Sequence, residues 1–206
     1  MPGENTQLIR FLRQENLRLQ DENELLTDEV RALRRYVASL QTVQRTVQYF
    51  TPEEDILALL DDTLECAMQL LDVLDGSLIL VDEETDELVF VLVRGTIQET
   101  LPGHRFDRHL GIAGWAVEHQ EPVIANNVVT DARFFPSVDE RFGFSTRSLL
   151  AVPLIARGKA IGVLELVNKR SGEPFTEEDA DLLGVLATLS ASALDYAATC
   201  HPEGTL

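Results

Sequence analysis

From residue 9 to residue 47 the apolar positions follow a seven-residue repeat without a slip. Ile9, Asn16, Asn23, Val30, Val37 and Gln44 fall at one seam position, and Leu12, Leu19, Leu26, Leu33, Leu40 and Val47 at the other. A spacing of about 3.5 residues keeps a narrow stripe facing a partner helix, the pattern of a coiled coil. Neither Gly nor Pro occurs between Glu4 and Phe50, so the pattern predicts one dimerising helix over residues 5–50. Leucine at one seam position, with Val or Ile at several of the other, favours two parallel strands. Asn16 and Asn23 point the same way. In a parallel pair each faces its own copy and shares an amide hydrogen bond, whereas in an antiparallel pair each meets an apolar neighbour. Glu29 and Arg34 add one favourable interhelical pair. The acids at 21–29 and the arginines at 31–35 would also suit antiparallel helices, but exposed pairs contribute only about 0–1 kcal/mol each.

A second helix is expected after a joint. Thr51 reads as its N-cap, Pro52 as its first residue and Glu54 as the reciprocal acid of a capping box. The inner face would be Ile56, Leu59, Leu60, Leu64, Ala67, Leu71 and Leu74, with Asp75-Gly76 as the stop. The period then changes to that of strands. Ser77–Val81 and Leu88–Arg94 are joined by a turn at 83–86. A short helix is expected over 111–118, a strand over 122–125, and a long loop over 126–146. A hairpin of Ser148–Ile155 and Ala160–Val167 turns at Arg157-Gly158-Lys159. Thr176 with Asp179 caps a last helix, whose inner face is Leu182, Leu183, Leu186, Leu189, Ala193, Leu194 and Ala197. Helices flanking consecutive hairpins imply an α+β fold with a mainly antiparallel sheet. The expected division is 5–50 coiled coil, 51–198 folded domain and 199–206 flexible tail.

Charge separates the two parts. Of the formal net charge of −18, none lies in residues 1–50, which carry seven acids and seven arginines. Residues 51–206 hold 28 acids against 10 bases. Such a surface repels phosphate backbones, so no nucleic-acid partner is expected. No apolar run reaches the ~20 residues of a membrane helix, and the N-terminus has no signal-peptide core, so no membrane association and a cytoplasmic location are expected. Cys66 and Cys200 make no metal or redox motif, and Cys66 is expected as a buried thiol. No G-x-S-x-G elbow, Walker loop or H-E-x-x-H occurs, so no catalytic role is expected. His104, His109 and His119 lack metal spacing. Gly111 and Gly114, three apart, would let a helix start where another backbone approaches closely.

Four stretches in order resemble the GAF domain family: Gly111-Ile112-Ala113-Gly114-Trp115-Ala116-Val117, Glu121-Pro122-Val123-Ile124-Ala125-Asn126, Ser148-Leu149-Leu150-Ala151-Val152-Pro153-Leu154 and Ile161-Gly162-Val163-Leu164-Glu165-Leu166. The resemblance runs from about Thr51 to Ala198. It implies a sheet of about six strands, helices on one face, a small-molecule pocket on the other, and a sensor signalling along a dimer axis. Some relatives that bind cyclic nucleotides carry N-K…F-x-x-x-D-E. Here Asn168-Lys169, Phe175 and Asp179 match, but Ala180 stands where the second acid is expected. Lys169 and Asp179 would form a structural ion pair rather than a ligand contact. No cysteine lies between Asp72 and Thr199, which argues against covalent bilin attachment and against a cysteine-dependent reductase.

The resemblance places the pocket wall on the first strands, the 111–115 turn, the 126–135 loop and the start of the 147–152 strand. Candidate ligand-binding residues are Ile112, Ala113, Trp115, Asn126, Phe134, Phe135, Arg147 and Ser148. The aromatics would stack on a planar ligand and the polar groups would orient it. No cofactor is named by any of these patterns. The expected function is a non-enzymatic sensor that binds an unidentified small molecule. It would signal through a parallel homodimer over residues 9–47 to a partner protein in trans. A ligand-free dimerisation scaffold and a cyclic nucleotide-binding protein are the alternatives.

Overall fold

The computed structural model describes residues 10, 12–23, 26, 27, 30 and 56–200, which fall into two units divided between Gln41 and Thr42. In the first unit residues 12–23 are helical (α1), as are Leu26, Thr27 and Val30. The seam leucines stand open in the single chain: Leu12, Leu19 and Leu26 are each about half exposed, and Asn16 and Asn23 are exposed with them. Ile9, Leu33, Val37 and Leu40, the expected Thr51-Pro52 cap and residues 201–206 lie outside the described residues.

The second unit is built on one six-stranded sheet in the order β3-β2-β1-β6-β5-β4. The strands are β1 (Val73–Asp82), β2 (Glu87–Arg94), β3 (Arg105–Asp107), β4 (Val123–Ala125), β5 (Leu149–Ala156) and β6 (Lys159–Lys169), and every neighbouring pair is antiparallel. The helices are α2 (Ile56–Leu70), α3 (Gly111–His119), α4 (Ser137–Phe142) and α5 (Glu177–Cys200). Period-two alternation gives the sheet two apolar faces. Leu78, Leu164 and Leu166 pack under Leu60 and Leu64 of α2 and Leu183 and Leu186 of α5. Ile79, Val163 and Val167 turn the other way, toward Ile112 and Ala116 of α3. An α+β architecture with a mainly antiparallel sheet is what the two periods predict.

The differences from the sequence reading are local. The first helix of this unit ends at Leu70 rather than Leu74, and β1 begins at Val73. Asp75-Gly76 is no stop signal: Gly76 lies inside β1, where a Cβ would come within 2.9 Å of Leu166 and 3.1 Å of Leu64. Leu74, expected on the inner face, is 51% exposed because the strand turns it outward. β3 falls in a stretch expected as loop. It is only three residues long, and its pairing of Leu88 with Phe106 comes from across the fold. The 126–146 stretch contains a 3-10 turn at Val128–Thr130 and the six-residue α4. Cys66 is half-buried. By length and composition α5 could span a membrane, yet Leu183, Leu186, Ala187 and Ala191 are buried in the core.

Asp179 closes the N-terminus of α5. Its carboxylate accepts from the Thr176 amide at 2.8 Å, and its own amide donates to the Thr176 hydroxyl at 3.3 Å, a reciprocal cap. The Lys169 ammonium at the end of β6 donates to the same carboxylate, and both side chains are nearly buried. Lys169 also reaches the Pro174 carbonyl at 3.3 Å and lies 5.3 Å from the centre of the Phe175 ring. Strand and helix are therefore joined at one shared charge.

Candidate functional site

On the face of the sheet opposite α2 and α5, a cleft of about 780 Å³, its open mouth included, lies between β1, β2 and β6 and the segments 110–113 and 134–146. α3 forms one edge. It can begin there because Gly114 lets it lie against the preceding turn: a Cβ would stand 2.5 Å from the Arg108 carbonyl oxygen. Gly111, Ile112 and Ala113 face the cleft.

The other wall is made by the chain around α4. Ser137, Val138 and Asp139 line it, with Phe134 and Phe135 before and Phe144 and Thr146 after. None of the α4 residues is fully buried; Val138 and Phe142 pack partly against the apolar cluster of the cleft face, and hydrogen bonds to the following chain fix the rest. The Asp139 carboxylate accepts from the Thr146 amide at 2.7 Å and from the Thr146 hydroxyl at 2.8 Å. Outside the cleft Phe142 meets the edge of His104, with ring centres 5.2 Å apart. Burial holds the His104 imidazole below its ordinary value, and the nearby Arg141 charge adds to this.

The floor carries the chemistry. Glu165 of β6 lies in the alternation between Val163 and Val167, which puts it on the cleft face. It is only 7% exposed, and its hydrogen-bond partner is Ser77, directly opposite on β1. Burial pushes its carboxyl up to about 7, because a charge far from water is penalised. Asp75, two residues from Ser77, accepts from the Thr96 amide at 2.7 Å. Arg94 is the one base among the lining residues, and its guanidinium is held on α2 by Asp61 at 2.7 and 2.6 Å and by Glu65 at 3.0 Å.

Of the residues expected at a ligand, the structure brings Ile112, Ala113, Phe134 and Phe135 to the cleft. Trp115, Asn126, Arg147 and Ser148 are elsewhere. Trp115 is stacked between the His119 ring, with centres 4.0 Å apart, and Arg133, whose guanidinium carbon is 4.8 Å from the ring centre. Asp131 grips Arg133 through two bonds of 2.9 and 2.7 Å. Arg147 and Ser148 donate their backbone amides to the Asn168 side chain at 2.8 and 3.3 Å. Asn126 braces another loop, donating to the Phe175 carbonyl at 3.0 Å and accepting from the Phe175 amide at 2.7 Å. Asn126→Ala is therefore expected to cost about 1–2 kcal/mol in urea denaturation. Were Asn126 a ligand contact instead, stability would be unchanged and only binding would fall.

Sequence reasoning missed Ser77, Asp139 and above all Glu165. The signal for Glu165 was present: a single acid within Val163-Leu164-Glu165-Leu166-Val167, at a position where alternation demands an apolar side chain.

Comparison with known proteins is consistent across sequence and fold. The family model described as GAF domain matches residues 53–195. The chain is 38% identical over 93 residues to a probable 3',5'-cyclic phosphodiesterase of Caenorhabditis elegans, a match covering 45% of this chain and 13% of that protein. It is 37% identical over 89 residues to a dual 3',5'-cyclic-AMP and -GMP phosphodiesterase of Takifugu rubripes, covering 42% and 10%. The chain thus spans only about an eighth or less of these relatives. Among solved structures, the GAF domain of a Coxiella burnetii phosphoenolpyruvate-protein phosphotransferase superposes with a TM-score of 0.73 at 18% identity, covering 84% of this chain and 99% of that one. The free methionine-R-sulfoxide reductase of Neisseria meningitidis, solved with its substrate, superposes with a TM-score of 0.67 at 24% identity, covering 82% and 93%. At these identities the superpositions speak for the fold alone.

Proposed function

We propose, because this chain belongs to the GAF family, that it is a regulatory sensor whose cleft takes up a small molecule and whose heptad segment passes the change, as a parallel dimer, to a partner protein. The observation that carries this reading is Glu165. Fold stability gains nothing from an acid under an apolar cleft, since burying it costs free energy that a hydrophobic side chain would not. Its place there is explained by a ligand whose donor group it receives. The open seam of Leu12, Leu19 and Leu26 supports the dimer, because exposed leucines at heptad spacing call for a second copy.

Native mass spectrometry of freshly isolated full-length chain tests both parts. A two-chain species carrying a small-molecule adduct is expected, with the adduct absent from Glu165→Leu. Ligand-free dimers under all conditions would favour a scaffold, and monomers would remove the coiled coil from the proposal.

A second reading, a cyclic nucleotide ligand, is supported by the names of the phosphodiesterases matched. The charge of the cleft stands against it. An anionic ligand would meet Asp75 and Asp139, and Glu165 too once its carboxyl ionises above about 7, while the one basic side chain of the lining is engaged on α2.

A further inference from the structure

Five phenylalanines line the cleft: Phe90, Phe106, Phe134, Phe135 and Phe144. Aromatic walls above a carboxylate are the chemistry that recognises organic cations, because the π-faces carry negative potential and a desolvated cation is attracted to them. Glu165, paired with Ser77 across the strands, is the acid on the cleft floor that no backbone amide claims. Asp139 has both oxygens on Thr146, and Asp75 holds the Thr96 amide. Arg94 is clamped by Asp61 and Glu65. The remaining lining from α3 and the 97–101 turn is Gly111, Ile112, Ala113, Ile97 and Leu101, with no titratable group. Among the described residues no cation therefore faces Glu165, and the countercharge has to arrive with the ligand.

We propose that the cleft selects a small organic cation with a planar apolar body, an amidinium or ammonium, which gives its N–H groups to Glu165 as the Glu165 proton leaves to solvent. This rests on the sensor reading and names the ligand class. The exchange balances: a protonated carboxyl and a free cation become a carboxylate–cation pair and one released proton. Ionisation of Glu165 under the bound cation is stabilised by that charge, so capture strengthens as pH rises through neutrality.

Isothermal titration calorimetry on the full chain, at pH 6 and pH 8 and in two buffers of different ionisation enthalpy, tests it. The probes are benzamidinium, benzamide, benzoate and cyclic GMP. Benzamidinium is expected to bind at least ~10-fold more tightly than benzamide, with roughly 10-fold higher affinity at pH 8 than at pH 6 and proton release at pH 6. Benzoate and cyclic GMP are expected not to bind. Glu165→Gln should abolish both the preference and the pH dependence, and Phe106→Leu should weaken benzamidinium several-fold while sparing benzamide. Equal or tighter binding of benzoate or cyclic GMP, unchanged benzamidinium affinity in Glu165→Gln, or no binding of benzamidinium would overturn the proposal. In the last case an adduct in the native mass spectrum would leave the sensor reading standing, and its absence would remove both.

Discussion

Glu165→Gln is expected to make the protein more stable at pH 8 by about 2 kcal/mol and to flatten its stability between pH 5 and pH 8. The folded state holds the Glu165 carboxyl at about 7, against an ordinary value of 4.5. Below 4.5 both folded and unfolded chains carry the proton, and above about 7 neither does. Between those values the folded chain keeps a proton that the unfolded chain has released, so stability falls as pH rises across this window and stays lower above it. The fall attributable to Glu165 is roughly 3 kcal/mol, from about 1.4 kcal/mol for each unit of displacement. Glutamine has nearly the same shape and can keep the bond to Ser77, but a buried amide recovers only part of the difference. Urea denaturation of both proteins across this pH range measures it. Parallel pH profiles would mean that water reaches Glu165 and that the cleft floor is wet.

Asp179→Ala is expected to destabilise the protein by roughly 3–5 kcal/mol, the range for removing one partner of a buried ion pair. Two losses combine here. The N-terminus of α5 loses the acceptor for the Thr176 amide, and the Lys169 ammonium is left nearly buried with the Pro174 carbonyl and the Phe175 ring as its remaining partners. The double replacement Lys169→Met with Asp179→Ala should recover at least half of the loss, because it also removes the stranded charge. Chemical denaturation of wild type, both single variants and the double variant gives the coupling directly. A loss below about 1 kcal/mol for Asp179→Ala would place this pair with ordinary exposed ones. The measurement also bears on signalling. The shared charge ties the end of β6, four residues from Glu165, to the start of α5, which on the proposed sensor reading would link the cleft floor to that helix.

The proposed exclusion of anions rests on the lining of the cleft, whereas the net charge of −18 belongs to the whole chain. The two need not have agreed. Acids on the outer surface keep a protein soluble and are screened within about 10 Å at ordinary salt. Glu165 lies under apolar walls where screening is weak, so on the proposed reading this one carboxyl, once ionised, weighs more on ligand choice than many surface acids together.

Local pattern by itself determined the sheet-and-helix plan of this protein. The hairpin of β5 and β6, the reciprocal cap at Thr176 and Asp179, and the alternation along β1 and β2 follow from neighbours a few residues apart, where period and turn chemistry act directly. The same local signal made Asp75-Gly76 look like a helix stop, when a glycine was required inside β1 by Leu166 from β6. Membership of the cleft was decided only by the tertiary structure. Phe134 and Phe135 reach it while Trp115, a few residues along α3 from Ile112, is captured by His119 and Arg133. Asn126, polar and beside a pocket-forming loop, is used up by the backbone of Phe175, 49 positions away. Such assignments depend on which distant groups claim a side chain first, and no spacing along the chain encodes that competition. Glu165 joins the two levels. Its place on the apolar face is written in the alternation of β6, but its burial, its pairing with Ser77 and its altered proton affinity exist only once β1, β6 and the aromatic walls have closed around it.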